Sequence, residues 1–323
     1  MAELGEKKLT LQSVDNRSLT WIDIQKPTRE KLMKLSQYPF HELNIEDCLS
    51  KIQIPKLDSY DDHIFVILNF PIINKDQDVP HPVQLAIFAG NGYLVTVQHE
   101  ELKPITEAFE SCKADEKFRD TYMGNSSGYL LHSIIDMMVD DLLHILIKIE
   151  GNLDDIEDVV FDPKTAVARE ISILRREITT LRRLVFPLKR TLIDVSKEIQ
   201  RLSEEDLTLY FDDVKDHIDK VVEALDESKE TIEIFKDTDF MLSTEKSNKI
   251  LAVLTILFTL SIPATVIGAY YGMNINLPGG LETGSATFLG EYTSFIIIII
   301  AAVIPAVGMI YWFTREGWLI LNK

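Results

Sequence analysis

From Gly128 to Phe161 the sequence GYLLHSIIDMMVDDLLHILIKIEGNLDDIEDVVF places apolar residues at three- and four-residue steps, the spacing of one helix face. Asp162-Pro163 ends that pattern. A second seam follows, in which Ile171, Leu174, Ile178, Leu181, Leu184, Leu188, Leu192, Val195, Ile199 and Leu202 are separated by threes and fours throughout. Pro187 lies inside this seam and is expected to bend it. Ser203 with Asp206 resembles a cap ahead of the next helix. No proline or glycine then occurs before Pro263, while Ile218, Val221, Leu225, Ile232 and Phe235 keep the helical period. One continuous helix is predicted, ~100 Å long at ~1.5 Å per residue. A helix of that length needs neighbours along it, which suggests association around an axis.

Two later stretches lose the polar face altogether. Residues 250–273, ILAVLTILFTLSIPATVIGAYYGM, and residues 292–314, YTSFIIIIIAAVIPAVGMIYWFT, carry no charge. Either is long enough to cross a hydrocarbon layer ~30 Å thick, so both read as transmembrane helices. Lys246 and Lys249 precede the first, Arg315 and Lys323 follow the second, and the loop between them has Glu282 and Glu291 without Lys or Arg. The positive-inside rule then puts both termini in the cytoplasm of a cell that carries this protein in its inner or plasma membrane. Upstream, HIFVILNFPII (residues 63–73) reads as a strand, and Val83 to Gln98 reads as two strands around Gly90-Asn91-Gly92. TREKLMKLSQY and ELNIEDCLS read as short helices.

The expected fold is an α+β membrane protein. Residues 1–126 form a cytosolic α/β domain, 127–203 antiparallel cytosolic helices and 204–249 a long stalk helix. Residues 250–273 are the first span, 274–291 an external loop, 292–314 the second span and 315–323 a cytosolic tail.

Composition narrows the function. Asp and Glu number 51 against 33 Lys and Arg, a formal net charge of −18. That argues against a nucleic-acid partner and suits a surface that attracts cations. Cys48 and Cys112 lie far apart and read as ordinary thiols. The opening MAELGEKKLTLQS has no apolar core, so no signal peptide is expected. G-x-x-x-x-G-K-[ST], H-E-x-x-H, G-x-S-x-G and G-x-G-x-x-G are all missing, so neither ATP-driven pumping nor an enzyme is expected. The seven histidines are scattered and no cysteine lies in a span, which gives no dedicated site for a soft metal.

Tyr271-Gly272-Met273-Asn274 closes the first of two C-terminal spans. With the segments KILAVLTILFTLSIPATVIGAYYGMN, YFDDVKDH, LLHSIIDMMVDD and IEDCLSKIQIPKLDSYDDHIFVIL, it makes the chain resemble the CorA-type magnesium and cobalt transporters, the two-span G-x-N divalent-cation channels. The resemblance covers most of the chain. It implies a homopentamer whose first spans line a pore, whose second spans form an outer ring, and whose cytosolic funnel senses magnesium.

On that reading Gly272, Met273 and Asn274 form the ion-selective mouth. An amide carbonyl can hydrogen-bond the water shell of Mg²⁺, an ion that gives up its water reluctantly, without stripping it. Asn248, Leu251, Leu254, Ile262 and Thr265 line the path below, the apolar ones gating by dewetting. Glu282 concentrates cations outside. The resemblance also implies that Asp237 and Asp213 bind regulatory Mg²⁺ at subunit interfaces, holding the pore closed. The chain departs from the family where partner acids are expected, with Asp76 and Asp78 beside Pro80, His81 and Pro82. It also lacks the loop element M-P-E-L, and its tail REGWLILNK is less basic than usual. Two other readings stay open: a transporter of zinc or another transition metal on the same fold, and a two-span membrane sensor or scaffold.

Overall fold

The computed structural model describes residues 11–73, 79–162, 165–203, 205–273 and 292–317. In chain order the elements are β1 (Gln12–Asn16), β2 (Leu19–Gln25), α1 (Arg29–Met33), α2 (Glu42–Leu49), β3 (Lys56–Ser59), β4 (His63–Ile72), β5 (His81–Gly90) and β6 (Tyr93–Gln98). Then come α3 (Lys103–Ala114), α4 (Glu116–Met123), α5 (Ser127–Val160), α6 (Ala168–Leu202), α7 (Thr208–Gly272) and α8 (Thr293–Arg315). The chain divides into two units, Met1–Asp239 and Phe240–Lys323, and the division falls inside α7.

The strands make one sheet in the order β1-β2-β6-β5-β4-β3. Only β2 and β6 pair in parallel. The predicted strand over residues 63–73 is β4, and the predicted hairpin is β5 and β6. Its turn needs Gly92, whose φ of 79° is left-handed and whose Cβ position lies 2.8 Å from the Ser18 carbonyl oxygen. Central strands are buried on both faces, because alternate residues enter different cores. Ile64, Val66 and Leu68 join the helices α3 to α7, whereas Phe65 and Ile67 face the layer containing α1 and α2.

A buried polar network locks the parallel pair to the next helix. The Asp23 carboxylate accepts from the Thr96 hydroxyl at 2.7 Å and from Gln98 Nε2 at 2.8 Å. Gln98 Oε1 in turn accepts the Leu102 N–H at 2.9 Å, just ahead of α3. Burial pushes the Asp23 carboxyl above its usual range, while the bonds from Thr96 and Gln98 act the other way.

Helices α5, α6 and α7 share one apolar seam. On α6 it runs through Val185, which is buried, whereas Leu184 of the expected seam is only partly covered. Either choice keeps a three- or four-residue step, so periodicity alone could not separate them. Ion pairs give the direction of packing. Arg175 meets Glu233 at 2.5 Å, Arg182 meets Asp226, and Lys189 meets Asp219 at 2.5 Å. Each step of seven forward on α6 is a step of seven back on α7, so the two run antiparallel in coiled-coil fashion. Exposed pairs of this kind contribute at most about 1 kcal/mol each, and the buried seam carries the stability.

Helix α6 continues through Pro187 as one element, as the unbroken seam predicts. One detail differs from the sequence reading. The cap ahead of α7 comes from Asp206, whose Oδ1 accepts the Thr208 N–H at 3.0 Å, while the Ser203 hydroxyl accepts the Glu205 N–H in the turn. The continuous helix through Pro263 is present as expected.

Where α5 begins, Gly128 lets three elements meet. A Cβ there would lie 2.8 Å from Leu207 Cδ1, 3.1 Å from Ile199 Cγ1 and 3.2 Å from Ser203 Cβ. Gly128→Ala is expected to destabilise the protein by about 1–3 kcal/mol through overpacking. A thermal melt showing an unchanged or raised midpoint would contradict that packing.

Candidate ion pathway and cation-sensing cluster

In the second unit α7 and α8 are apolar enough and long enough to cross a membrane. Each has one partly covered stripe: Ile256, Thr259, Leu260, Pro263 and Ile267 on α7, and Ser294, Ile298, Ala302, Ala306 and Met309 on α8. This is the pattern made when apolar helices pack along one side each. Asn248, Leu251, Leu254, Ile262 and Thr265 are all exposed. At about 100° per residue they occupy an arc of roughly 120° whose centre lies roughly 130° around α7 from the centre of the covered stripe, with Asn248 at its near edge. Thr265 donates its hydroxyl to the Ser261 carbonyl at 2.8 Å, leaving the oxygen lone pairs to accept from water. Gly272 is the last helical residue, and the Met273 N–H still donates to the Tyr270 carbonyl at 3.2 Å. Asn274 and Glu282 lie outside the described residues, as do Asp76 and Asp78.

A second constellation lies in the first unit, between α5 and the start of α7. These helices run in the same direction: Tyr129 stacks edge-on against Tyr210 at 5.5 Å, and eleven residues further along α5 Asp140 meets His217 at 3.6 Å. Asp136, Asp140 and His217 each bring a ligand atom within 4.8 Å of the others. Asp213 joins from one turn before His217, 3.9 Å from its Nε2. Asp136 Oδ1 is buried without a hydrogen-bond partner, as is His217 Nδ1. Burial raises the Asp136 carboxyl, with His132 opposing and Asp140 adding to the shift. An orphaned carboxylate oxygen beside a second carboxylate suits a divalent cation, which would offset both the burial cost and the repulsion.

The cluster borders a groove of about 650 Å³ whose lining includes Tyr129, His132, Asp136, Asp140, Asp141 and His144. His132 is only 8% exposed and packs against Tyr210 and Phe211. Neither ring nitrogen makes a hydrogen bond of good geometry, although the Tyr210 carbonyl acts on the ring.

The model of the CorA-like Mg2+ transporter protein family matches residues 16–315. The chain belongs to that family. It is 27% identical over 322 residues to YfjQ of Bacillus subtilis (strain 168), provisionally named a metal ion transporter, covering 98% of this chain and 96% of the relative. It is 25% identical over 309 residues to the cobalt/magnesium transport protein CorA of Thermotoga maritima, covering 94% and 85%. Among solved structures, the complete CorA magnesium transporter from Methanocaldococcus jannaschii superposes with a TM-score of 0.76 at 21% identity, covering 96% and 95%. That likeness establishes the fold. The chain is therefore a CorA-family divalent-cation transporter with two candidate spans near the C-terminus.

Measured against the sequence reading of this CorA-family chain, Asp213 sits beside the cluster, whereas Asp237 is exposed and, among the described residues, meets its neighbour Lys236 at 3.5 Å. Asp136, Asp140 and His217 were not singled out from sequence. Their signal was present as two i,i+4 pairs, Asp136/Asp140 and Asp213/His217, but each pair alone looks like a solvated helix face. Only the packing of α5 on α7 joins them.

Burial lowers the His132 pKa, so the folded protein resists the proton that the unfolded chain accepts near pH 6.5. Stability present above that pH is lost as pH falls toward the lower folded-state value. The loss is at most about 1.4 kcal/mol per pH unit. His132→Phe, which keeps the ring contacts, is expected to lose less of its melting midpoint between pH 7.5 and 5.5 than the natural chain. Parallel losses would show that His132 does not titrate in this way.

Proposed function

We propose that this protein is a divalent-cation channel that admits Mg²⁺, and Co²⁺ with it, down the electrochemical gradient. The observation that supports this best is the arc on α7. An amide, apolar side chains and a hydroxyl share one uncovered side of the first span, centred away from its covered stripe. Five copies around an axis turn that side inward, with the second spans outside against lipid. Asn248 and Thr265 then offer acceptors to a hydrated ion, and Leu251, Leu254 and Ile262 form a dewettable gate between them. Gly272, Met273 and Asn274 close the outer end as the selective mouth, and Glu282 draws cations toward it. An inside-negative potential supplies ~2.3 kcal/mol per charge per 100 mV, doubled for a divalent ion, so no ATP is needed. Both termini lie in the cytoplasm.

Mg²⁺ is also the regulator. The cluster of Asp136, Asp140, Asp213 and His217 holds it when internal Mg²⁺ is high, with Asp237 a second carboxylate along the same helix. Binding favours the closed arrangement of α7, and loss of the ion releases it, a population shift driven by differential affinity.

The test is Mg²⁺ influx into proteoliposomes under an inside-negative potential. The natural chain should conduct, and Asn274→Ala should lose most of the flux. Folded protein that passes no Mg²⁺ at low internal Mg²⁺ would end this reading in favour of another ion or a scaffold. With Asp136→Asn and Asp213→Asn together, influx should persist at internal Mg²⁺ concentrations that close the natural channel. Unaltered inhibition would remove the cluster from the mechanism. Because burial raises the Asp136 carboxyl, protons compete with the cation there, and inhibition should weaken as pH falls.

A further inference from the structure

We propose that the groove bordering the acidic cluster, together with a second groove that adjoins it, binds a linear aliphatic polyamine. The inference does not depend on the reading of α7 as a pore wall. The two grooves, of about 650 and 720 Å³, share Pro104 and Glu107 of α3 and Asp141 of α5 as lining residues. Along α5 their linings extend from Tyr129 to Ile145, ~24 Å at ~1.5 Å per residue. Every wall belongs to the first unit.

The walls select the charge of the ligand. Glu107, Asp136, Asp140 and Asp141 border the first groove, and Glu100 and Glu101 border the second. Glu100 is already met by His81 at 3.0 Å. Among the described residues, no lysine or arginine pairs with Glu101, Glu107 or Asp141. His132 is a second, independent observation. It is only 8% exposed, it lines the first groove, and neither of its ring nitrogens makes a hydrogen bond of good geometry. In its neutral form the ring has an acceptor nitrogen that an N–H of the ligand satisfies. The Thr121 and Ser133 hydroxyls donate to the Lys117 and Tyr129 carbonyls at 2.9 Å each, which leaves their oxygens as acceptors too. Walls built of acceptors and negative charge call for a ligand that brings donors and positive charge.

The apolar walls separate an organic cation from a metal ion. Phe118, Tyr122 and Tyr129 border the first groove, and Ile72, Met138 and Ile145 border the second. A hydrated divalent ion keeps its water and gains nothing from such side chains. An ammonium group is attracted to aromatic faces, and a methylene run leaves water against aliphatic side chains. A linear polyamine alternates the two, with ammonium groups that only donate joined by short methylene runs. On α5 the order Asp136, Met138, Asp141, Ile145 repeats that alternation along the linings.

Spermidine is the probe. The full-length chain in detergent, free of Mg²⁺, is titrated calorimetrically at about 0.15 M salt, which screens the diffuse charge of the surface. One spermidine should bind per chain. Glu107→Gln with Asp141→Asn should weaken binding about tenfold. Phe118→Ala should weaken it about threefold. Glu223→Gln with Glu230→Gln, two exposed acids of α7, and separately Asp213→Asn should each change it by less than about twofold. Equal weakening by the two double variants would mean that the net charge of −18 attracts spermidine without a site, and the proposal would fail. A loss in Asp213→Asn as large as in the groove variant would assign spermidine to the divalent-ion cluster and would equally sink it. So would an unchanged affinity in Phe118→Ala, or no saturable binding by the folded natural chain. Each of these results leaves the channel reading standing, because none of them measures ion flux.

Discussion

The structure depends on one helix that must satisfy two solvents. Over its first part α7 is amphipathic: Phe211, Val214, Ile218, Val221, Leu225, Ile232 and Phe235 are buried along one side. That stripe needs α5 and α6, because its apolar side chains would otherwise face water. From Ile250 onward the polar face disappears, and the same helix needs a hydrocarbon surround instead. The backbone bonds are continuous across the change, which is why the division between units falls inside α7 rather than in a linker. Whatever alters the packing of the first part acts on a helix that also forms the first span.

Charge is distributed to serve that helix. Helix α6 contributes Arg175, Arg182 and Lys189, and α7 answers with Asp219, Asp226 and Glu233. Lys236 and Arg175 together hold the Glu233 carboxyl down to about 2. These pairs select the antiparallel register more than they stabilise it. On the other side of α7, toward α5, the balance reverses: Asp136, Asp140 and Asp213 surround one partly covered imidazole, and among the described residues no lysine or arginine pairs with Asp136, Asp140 or Asp213. One flank of the helix is paired with basic residues of α6, and the other gathers acids and an imidazole from α5 and α7. Burial lowers the His132 pKa, so this ring relieves the neighbouring acids less than an exposed imidazole would.

Much of this was legible in the residues themselves. Two uncharged runs, the first closing on Tyr271-Gly272-Met273-Asn274, announce the candidate spans and the family. Three- and four-residue steps announce α5, α6 and α7, and Gly90-Asn91-Gly92 announces the hairpin of β5 and β6. These are local properties, set by periodicity, by φ preferences and by the cost of exposing apolar surface. The short strands β1, β2 and β3 were not legible. Gln12–Asn16 and Lys56–Ser59 carry few apolar residues, and they become strands because a neighbouring edge pairs with them.

The sequence by itself determined the family of the protein, its two candidate spans and the side of α7 that carries Asn248, Leu251, Leu254, Ile262 and Thr265, because helical spacing alone puts residues on a face. Only the tertiary structure decided that Val185 rather than Leu184 enters the seam, and that Asp206 rather than Ser203 caps α7. It alone joined Asp136 and Asp140 to Asp213 and His217. Those residues lie more than seventy positions apart, and no local rule relates them. They meet because α5 and α7 bury their apolar stripes together in a parallel register that Tyr129 and Tyr210 mark, and the acids are carried into place by that burial.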